Sequence, residues 1–321
     1  MQEAKSAHRE PAAKRPSPKW ALADDFDRYL KERAALVERA LAECVAESSG
    51  PASRLFEAMR YSLMAGGKRL RPVLALAACE AVGGTLDAAI GLACAIEMIH
   101  TYSLVHDDLP CMDDDDLRRG RPTNHKVYGE AIATLAGDAL LTDAFKVLAH
   151  SAIPSKHPFA AQALLDTVAE LAGAAGSSGM VGGQVIDLLG EGRSLDLGEL
   201  ELLHSKKTGA LFVAAVCGGA RLGGATATQL TSMRQYAQAL GLAFQVIDDL
   251  LDVEASTEVM GKRTNKDEAR GKATYPSLIG IDRSRDLAGE LMRKAHSALS
   301  AFDHRADPLR TLAAFAVERK L

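Results

Sequence analysis

The chain has 321 residues, 47% hydrophobic and 25% charged, with a formal net charge of −4. That is the composition of a globular protein with length for a large core, and its charge balance gives no reason to expect a nucleic acid or a membrane surface as partner. The five cysteines are odd in number, scattered and without a C-x-x-C pair, which favours reduced, buried thiols and a cytoplasmic setting over disulfides or zinc.

Residues 1–19, "MQEAKSAHREPAAKRPSPK", set three prolines among lysines and arginines, with almost nothing to bury and no secretory apolar stretch; a disordered tail is expected. Residues 20–321 read as one all-α domain, a helical bundle with no linker and no short repeat. In "FDRYLKERAALVERALAECV", Phe26, Leu30, Leu36 and Leu41 recur at near-helical spacing. "AGGKRLRP" then sets Lys68, Arg69 and Arg71 beside two glycines at a helix start, where an anion is favoured, although a solvated basic turn would look the same. The helix that follows, "RPVLALAACEAVGG", closes on paired glycines. "CAIEMIHTYSLVH" is an apolar helical run carrying His100, either a core histidine or a ligand, and ending at Asp107 and Asp108. No apolar run approaches the roughly 18 residues expected of a membrane-spanning helix. Glycine-rich stretches at 173–183 and 218–224 read as helix joints, and no strand alternation or Asn-Gly or Asp-Gly hairpin signal occurs.

"SLVHDDLPCMDDDDLRRGRP", residues 103–122, puts six aspartates within ten residues and three arginines just after them. Two like charges at about 4 Å repel by about 1 kcal/mol in water and about 4 kcal/mol near a protein surface, so the cluster needs cations. Pro110 stops regular helix, so the chain bulges and lets Asp113 return toward Asp107. Residues 244–272, "FQVIDDLLDVEASTEVMGKRTNKDEARGK", repeat the theme: Asp248 and Asp252 are i and i+4, Gln245 lies one turn before, and Phe244, Ile247 and Leu251 mark the face that packs on the bundle. One such cluster is an ordinary acidic helix end. Two on apolar helices, each followed by Lys and Arg, read as paired metal sites. Carboxylates without His or Cys select a hard ion such as Mg²⁺, whose shell is completed by substrate phosphates, and the basic residues neutralise the rest of a diphosphate. The further cations, with "SKKTGAL" (Lys206, Lys207, Thr208), Lys262 and Lys272, suffice for two diphosphate sites, one with metal and one without. No Ser-His-Asp or Cys-His nucleophile and no P-loop is present, so metal-assisted departure of a phosphate group is the chemistry expected.

In order along the chain, "GGKRLRP", "HDDLPCMDDDDLRRGRPT", "GMVGGQVIDL", "KTGAL", "GLAFQVIDDLLD" and "GKATYP" resemble the motifs of the trans-prenyl diphosphate synthases, most closely the bacterial-type farnesyl diphosphate synthases. The resemblance runs from about residue 25 to the end. It implies an all-α homodimer with aspartate motifs on opposing walls of a central cavity. It also implies three Mg²⁺ ions held by Asp107, Asp108 and Asp113 on one wall and Asp248 and Asp252 on the other. Arg118, Lys207, Thr208, Gln245, Lys262 and Lys272 would contact the allylic diphosphate; Lys68, Arg71, His100 and Arg119 would bind isopentenyl diphosphate. Asp107, Asp113, Lys207, Asp248 and Lys262 would carry the catalysis, Asp249 would act from behind, and Gln184 and Asp187 match a Gln-x-x-Asp element lining the cavity. A terpene cyclase or a non-catalytic subunit of a heteromeric synthase fits less well, because both aspartate motifs and the second basic set are intact. The prenyl tail would grow along the helix before Asp107, meeting Ser103 and Tyr102 about one 5.4 Å turn down. An aromatic at Tyr102 with the Pro110–Cys111 insertion resembles the farnesyl pattern, so a fifteen-carbon product is expected, with geranylgeranyl diphosphate as runner-up.

Overall fold

Apolar residues recur at helical spacing along most of the chain, and the computed structural model, which describes residues 23–151, 160–190, 192–193, 195–258 and 273–317, winds them into helices almost throughout. These are α1 (Ala23–Cys44), α2 (Ser53–Leu63), α3 (Leu70–Ala81), α4 (Leu86–Asp107), α5 (Asn124–Tyr128), α6 (Glu130–Ala149) and α7 (Ala160–Ala175). There follow α8 (Met180–Gly190), α9 (Leu197–His204), α10 (Ala210–Leu222), α11 (Ala227–Glu258), α12 (Tyr275–Ile279), α13 (Ile281–Ala298) and α14 (Asp307–Val317). Between α9 and α10 a π turn, Ser205–Gly209, keeps the rod continuous. Residues 1–19, Lys262 and Lys272 lie outside the described residues.

α4 is apolar nearly all round, as befits a helix surrounded by others. It packs on α3, α6 and α10, with α1 and α2 beside it. By length and composition it could cross a membrane, which corrects the reading that no run was long enough. It is nevertheless a core helix: Leu92, Ile96, Met98 and Ile99 are fully buried. The buried residues of α6 are mostly small (Ala133, Ala136, Gly137, Ala144), so α4 approaches closely; a Cβ on Gly137 would run into the His106 ring. A second core gathers Phe26, Val73, Leu74, Phe212 and Tyr236, and a third joins Leu200, Val246, Leu250, Tyr275 and Leu291 around α11.

Four expectations change. A two-stranded hairpin forms, β1 (Leu117–Arg118) with β2 (Arg121–Pro122). The glycines at 218 and 219 lie inside α10, where a Cβ on Gly219 would meet the α3 backbone at Ala75, so they serve helix packing and not a joint. On α11 the buried face is centred on Ala243, Val246, Ile247 and Leu250, while Phe244 borders a cavity. All five cysteines are free as expected, but only Cys79, Cys94 and Cys217 are buried; Cys111 is exposed.

Candidate functional site

The first acidic wall forms where α4 stops. The chain folds back over the helix end, with the Asp113 N–H on the Asp107 carbonyl at 2.8 Å and the Asp114 N–H on the Leu109 carbonyl at 3.1 Å. Asp113 is thereby returned toward Asp107, as the proline bulge predicts, at the cost of a left-handed backbone at Asp114 (φ 50°). Asp107 accepts a hydrogen bond from the Gln184 amide on α8. Burial pushes its pKa up to about 6; Lys207 opposes the rise and Asp113 adds to it. Asp108 does not share this open face. It is buried, and Arg118 grips both its oxygens, Nε at 2.8 and 3.0 Å and Nη2 at 2.8 Å, so Asp108 orients an arginine here.

The second acidic set is on α11, with Asp248 half-buried and Asp252 exposed. Asp249 turns inward: it accepts the Gln245 amide at 2.9 Å and the Tyr275 N–H at 3.0 Å, satisfying the first orphan donor of α12. His204 lies 3.9 Å from it, stacked on Tyr275 and held to a pKa of about 4 by burial, with Asp187 opposing. The π turn carries Lys207 and Thr208 into the same space. The Lys207 ammonium pairs with Asp187 at 2.6 Å, and the Thr208 hydroxyl donates to Gln245 at 3.3 Å. A Cβ on Gly183 would clash with the Lys207 backbone, so glycine is what lets α8 bring Gln184 and Asp187 this close.

A basic cavity of about 700 Å³ opens beside this acidic space, lined among others by Lys68, Arg71, His100, Arg119 and Phe244. Burial lowers the pKa of the Arg71 guanidinium, against the pull of Glu97 and Asp248, and Arg71 stacks over Phe212 at 5.0 Å. His100 is driven well below the ordinary imidazole range, first by burial and then by Arg71, Arg119, Arg118 and Arg69, so it is neutral. Arg69, read from the sequence as one more anion-binding cation, is consumed elsewhere. It is buried with φ 48°, paired to Glu97 at 2.6 Å and Glu38 at 3.3 Å, and donates to the Leu63 carbonyl at 2.7 Å. Lys206 likewise turns away, onto the Ser178 carbonyl at 2.8 Å. Tyr102 is buried in the core one turn and a half below Asp107, edge-on to His106 at 5.7 Å, and the Ser103 hydroxyl donates to the His100 carbonyl.

Sequence reasoning missed the Arg69–Glu97 pair, the Lys207–Asp187 pair and the π turn. Only the Gln-x-x-Asp spacing on α8 gave a signal for any of them.

Among the described residues no three His, Cys, Asp or Glu side chains form a ready-made metal cage. The donors come as carboxylates distributed over two walls, the pattern suited to Mg²⁺ bound together with substrate phosphates. Asp107 fits a dication in particular, because burial and Asp113 both oppose its charge. Its folded pKa lies above the unfolded value, so its contribution to stability is present in acid and is lost as pH rises through about 6. Asp107→Asn should accordingly raise the melting temperature of the metal-free protein at pH 8 and leave it nearly unchanged at pH 3, below the unfolded pKa. Equal shifts in melts at the two pH values would contradict the buried-charge account.

Residues 52–305 match the family model described as polyprenyl synthetase. A dimethylallyltranstransferase of Fischerella ambigua is 50% identical over 294 residues, 91% of this chain and 83% of that protein. A chloroplastic geranylgeranyl pyrophosphate synthase of Catharanthus roseus is 48% identical over 297 residues, 92% and 82% of the two chains. In structure the chain is similar to an FPP/GFPP synthase of Zymomonas mobilis, with TM-score 0.83, 40% identity, and coverage of 92% of this chain and 100% of that one.

Proposed function

The chain belongs to the polyprenyl synthetase family and is a prenyltransferase that elongates prenyl chains; from that premise we propose that it joins isopentenyl diphosphate head-to-tail to dimethylallyl and geranyl diphosphates and releases farnesyl diphosphate. One observation carries the two-substrate reading. A cavity lined by the cations Lys68, Arg71 and Arg119, with neutral His100 among them, adjoins a separate space where carboxylates face Lys207. A diphosphate in the first space is neutralised by side chains alone, and one in the second by metal with Lys207.

Asp107 and Asp113 on one wall, and Asp248 and Asp252 on the other, would hold Mg²⁺, three ions in all, with Asp108 contributing through Arg118. Bound there, Mg²⁺ supplies positive charge to the departing diphosphate, an effect of several kcal/mol. Lys207 leaves Asp187 for the allylic diphosphate, and Thr208 and Gln245 orient it. Arg71 and Arg119 hold isopentenyl diphosphate so that its double bond faces the allylic C1, while neutral His100 donates without adding charge. As the C1–O bond breaks, the double bond attacks C1, and a proton is then lost to the released diphosphate. The apolar walls exclude water from the cation meanwhile. A homodimer in the cytoplasm is the assembly and setting proposed.

Tyr102 supports a fifteen-carbon product, because its buried ring lies below Asp107 in the direction of chain growth. The twenty-carbon reading rests on a different observation, the geranylgeranyl synthases at 48–50% identity. Mass analysis of products from isopentenyl and dimethylallyl diphosphates separates the two. Tyr102→Ala should shift the product to twenty carbons or more; a wild type that already makes twenty carbons, with Tyr102→Ala unchanged, would sink the farnesyl reading.

A further inference from the structure

The hairpin that carries Arg118 and Arg119 is too short to hold itself in place. Each strand has two residues, and isolated hairpins even of full length are marginal in water. Its turn is also strained. Arg119 and Gly120 both have positive φ, 52° and 74°, the pattern of a type I′ turn, which suits Asn-Gly and costs a side chain such as arginine. The strain places the Arg119 guanidinium at the tip, on the Gly66 carbonyl and against Gly67, at the rim of the basic cavity.

External anchors must hold this geometry, and one residue of α2 supplies two of them. The Tyr61 hydroxyl donates to the Pro122 carbonyl at 2.7 Å, and the Arg121 guanidinium lies over the Tyr61 ring at 4.5 Å. Tyr128 braces that ring edge-on at 5.6 Å. The Asn124 amide, donating to the Ala58 carbonyl and the Ser62 hydroxyl at 2.8 Å each, fastens the chain just beyond the hairpin to the same helix. Arg118 is separately held by Asp108. Arg119 at the tip has the Gly66 carbonyl as its hydrogen-bond acceptor, so its position depends on the hairpin as a whole.

We propose that Tyr61, which does not line the basic cavity, is a positioning residue for the isopentenyl diphosphate site, acting through the hairpin on Arg119. The inference rests on the two-site reading of the prenyl transfer. Tyr61→Phe removes the bond to Pro122 and keeps the ring, so it should raise the KM for isopentenyl diphosphate about threefold, the size of one neutral hydrogen bond. Tyr61→Ala also removes the cation–π contact and should raise it about tenfold or more. In both, kcat and the KM for the allylic substrate should change by less than about twofold, since Arg118 keeps Asp108. In an Arg119→Ala background Tyr61→Phe should have no further effect on KM, because residues acting through one group are non-additive. Hydrogen exchange in the substrate-free protein gives an independent reading: a peptide spanning 115–124 should exchange faster in Tyr61→Ala while the rest of the chain is unchanged. Unaltered exchange there, or a full KM effect of Tyr61→Phe without Arg119, overturns the proposal. An Arg119→Ala protein with normal KM would instead overturn the diphosphate-site reading, and exchange would then decide the anchoring alone.

Discussion

Asp107→Asn and Asp248→Asn should each lower turnover by about a thousandfold or more while the protein remains folded. The size follows from what is lost: a charge aimed at a departing diphosphate, where removal of even one neutral donor commonly costs about 10² to 10³ in rate. Folding should survive because Asp107 and Asp248 are both half-buried and neither belongs to the apolar cores. For Asp107 the substitution also relieves an ionised carboxylate whose charge burial opposes. Loss of activity with gain of metal-free stability is the signature of a group kept for chemistry. A steady-state assay at saturating Mg²⁺, beside a thermal melt, reads both effects. Near-normal turnover in either variant would remove the metal assignment on that wall.

The largest effect on stability is expected at Glu97. Its carboxylate, 4% exposed, is paired at 2.6 Å with the Arg69 guanidinium, 1% exposed, inside the contact between α3 and α4. Glu97→Ala strands a buried cation whose remaining carboxylate partner, Glu38, is 43% exposed, and should cost about 3 to 5 kcal/mol. Replacing both partners with apolar residues of like volume should recover most of that loss, because the desolvation of two charges is removed together. Urea unfolding of the single and double variants tests this; a Glu97→Ala protein as stable as wild type would mean the pair is not what holds the turn. That turn is the one presenting Lys68 and Arg71, so the single variant should also weaken isopentenyl diphosphate binding.

The contrast between Asp107 and Arg69 shows what a linear reading could reach. Helices were legible because their apolar residues repeat locally, and the aspartate clusters because their members are neighbours in sequence with no cheap way to coexist. Arg69 lies between Lys68 and Arg71, and nothing local separates it from them; its destiny is set by Glu97, 28 positions on. Asp108 was indistinguishable from Asp107 until Arg118 was seen to grip it. The hairpin escaped because its turn is Arg-Gly, a choice that backbone preference argues against and that the site imposes. Asp249, by contrast, was set apart from Asp248 by the family resemblance, and in the structure it is bonded to Gln245 and Tyr275.

The wide turn at Ser205–Gly209 holds one residue more than regular helix would use, and this constrains how the gene can change length. Deleting one codon there would let the rod close into ordinary helix with the downstream faces still in phase, whereas a codon lost from the regular helix beyond it would turn everything downstream by about 100°. Leu211, Phe212 and Ala215, all buried, would stay in their cores after the shorter turn forms, but Lys207 and Thr208 could no longer face the acidic space together. A polar, half-exposed pentapeptide between two helices looks like a place where insertions and deletions pass unnoticed. Here the fold would accept the shorter turn and the site would not.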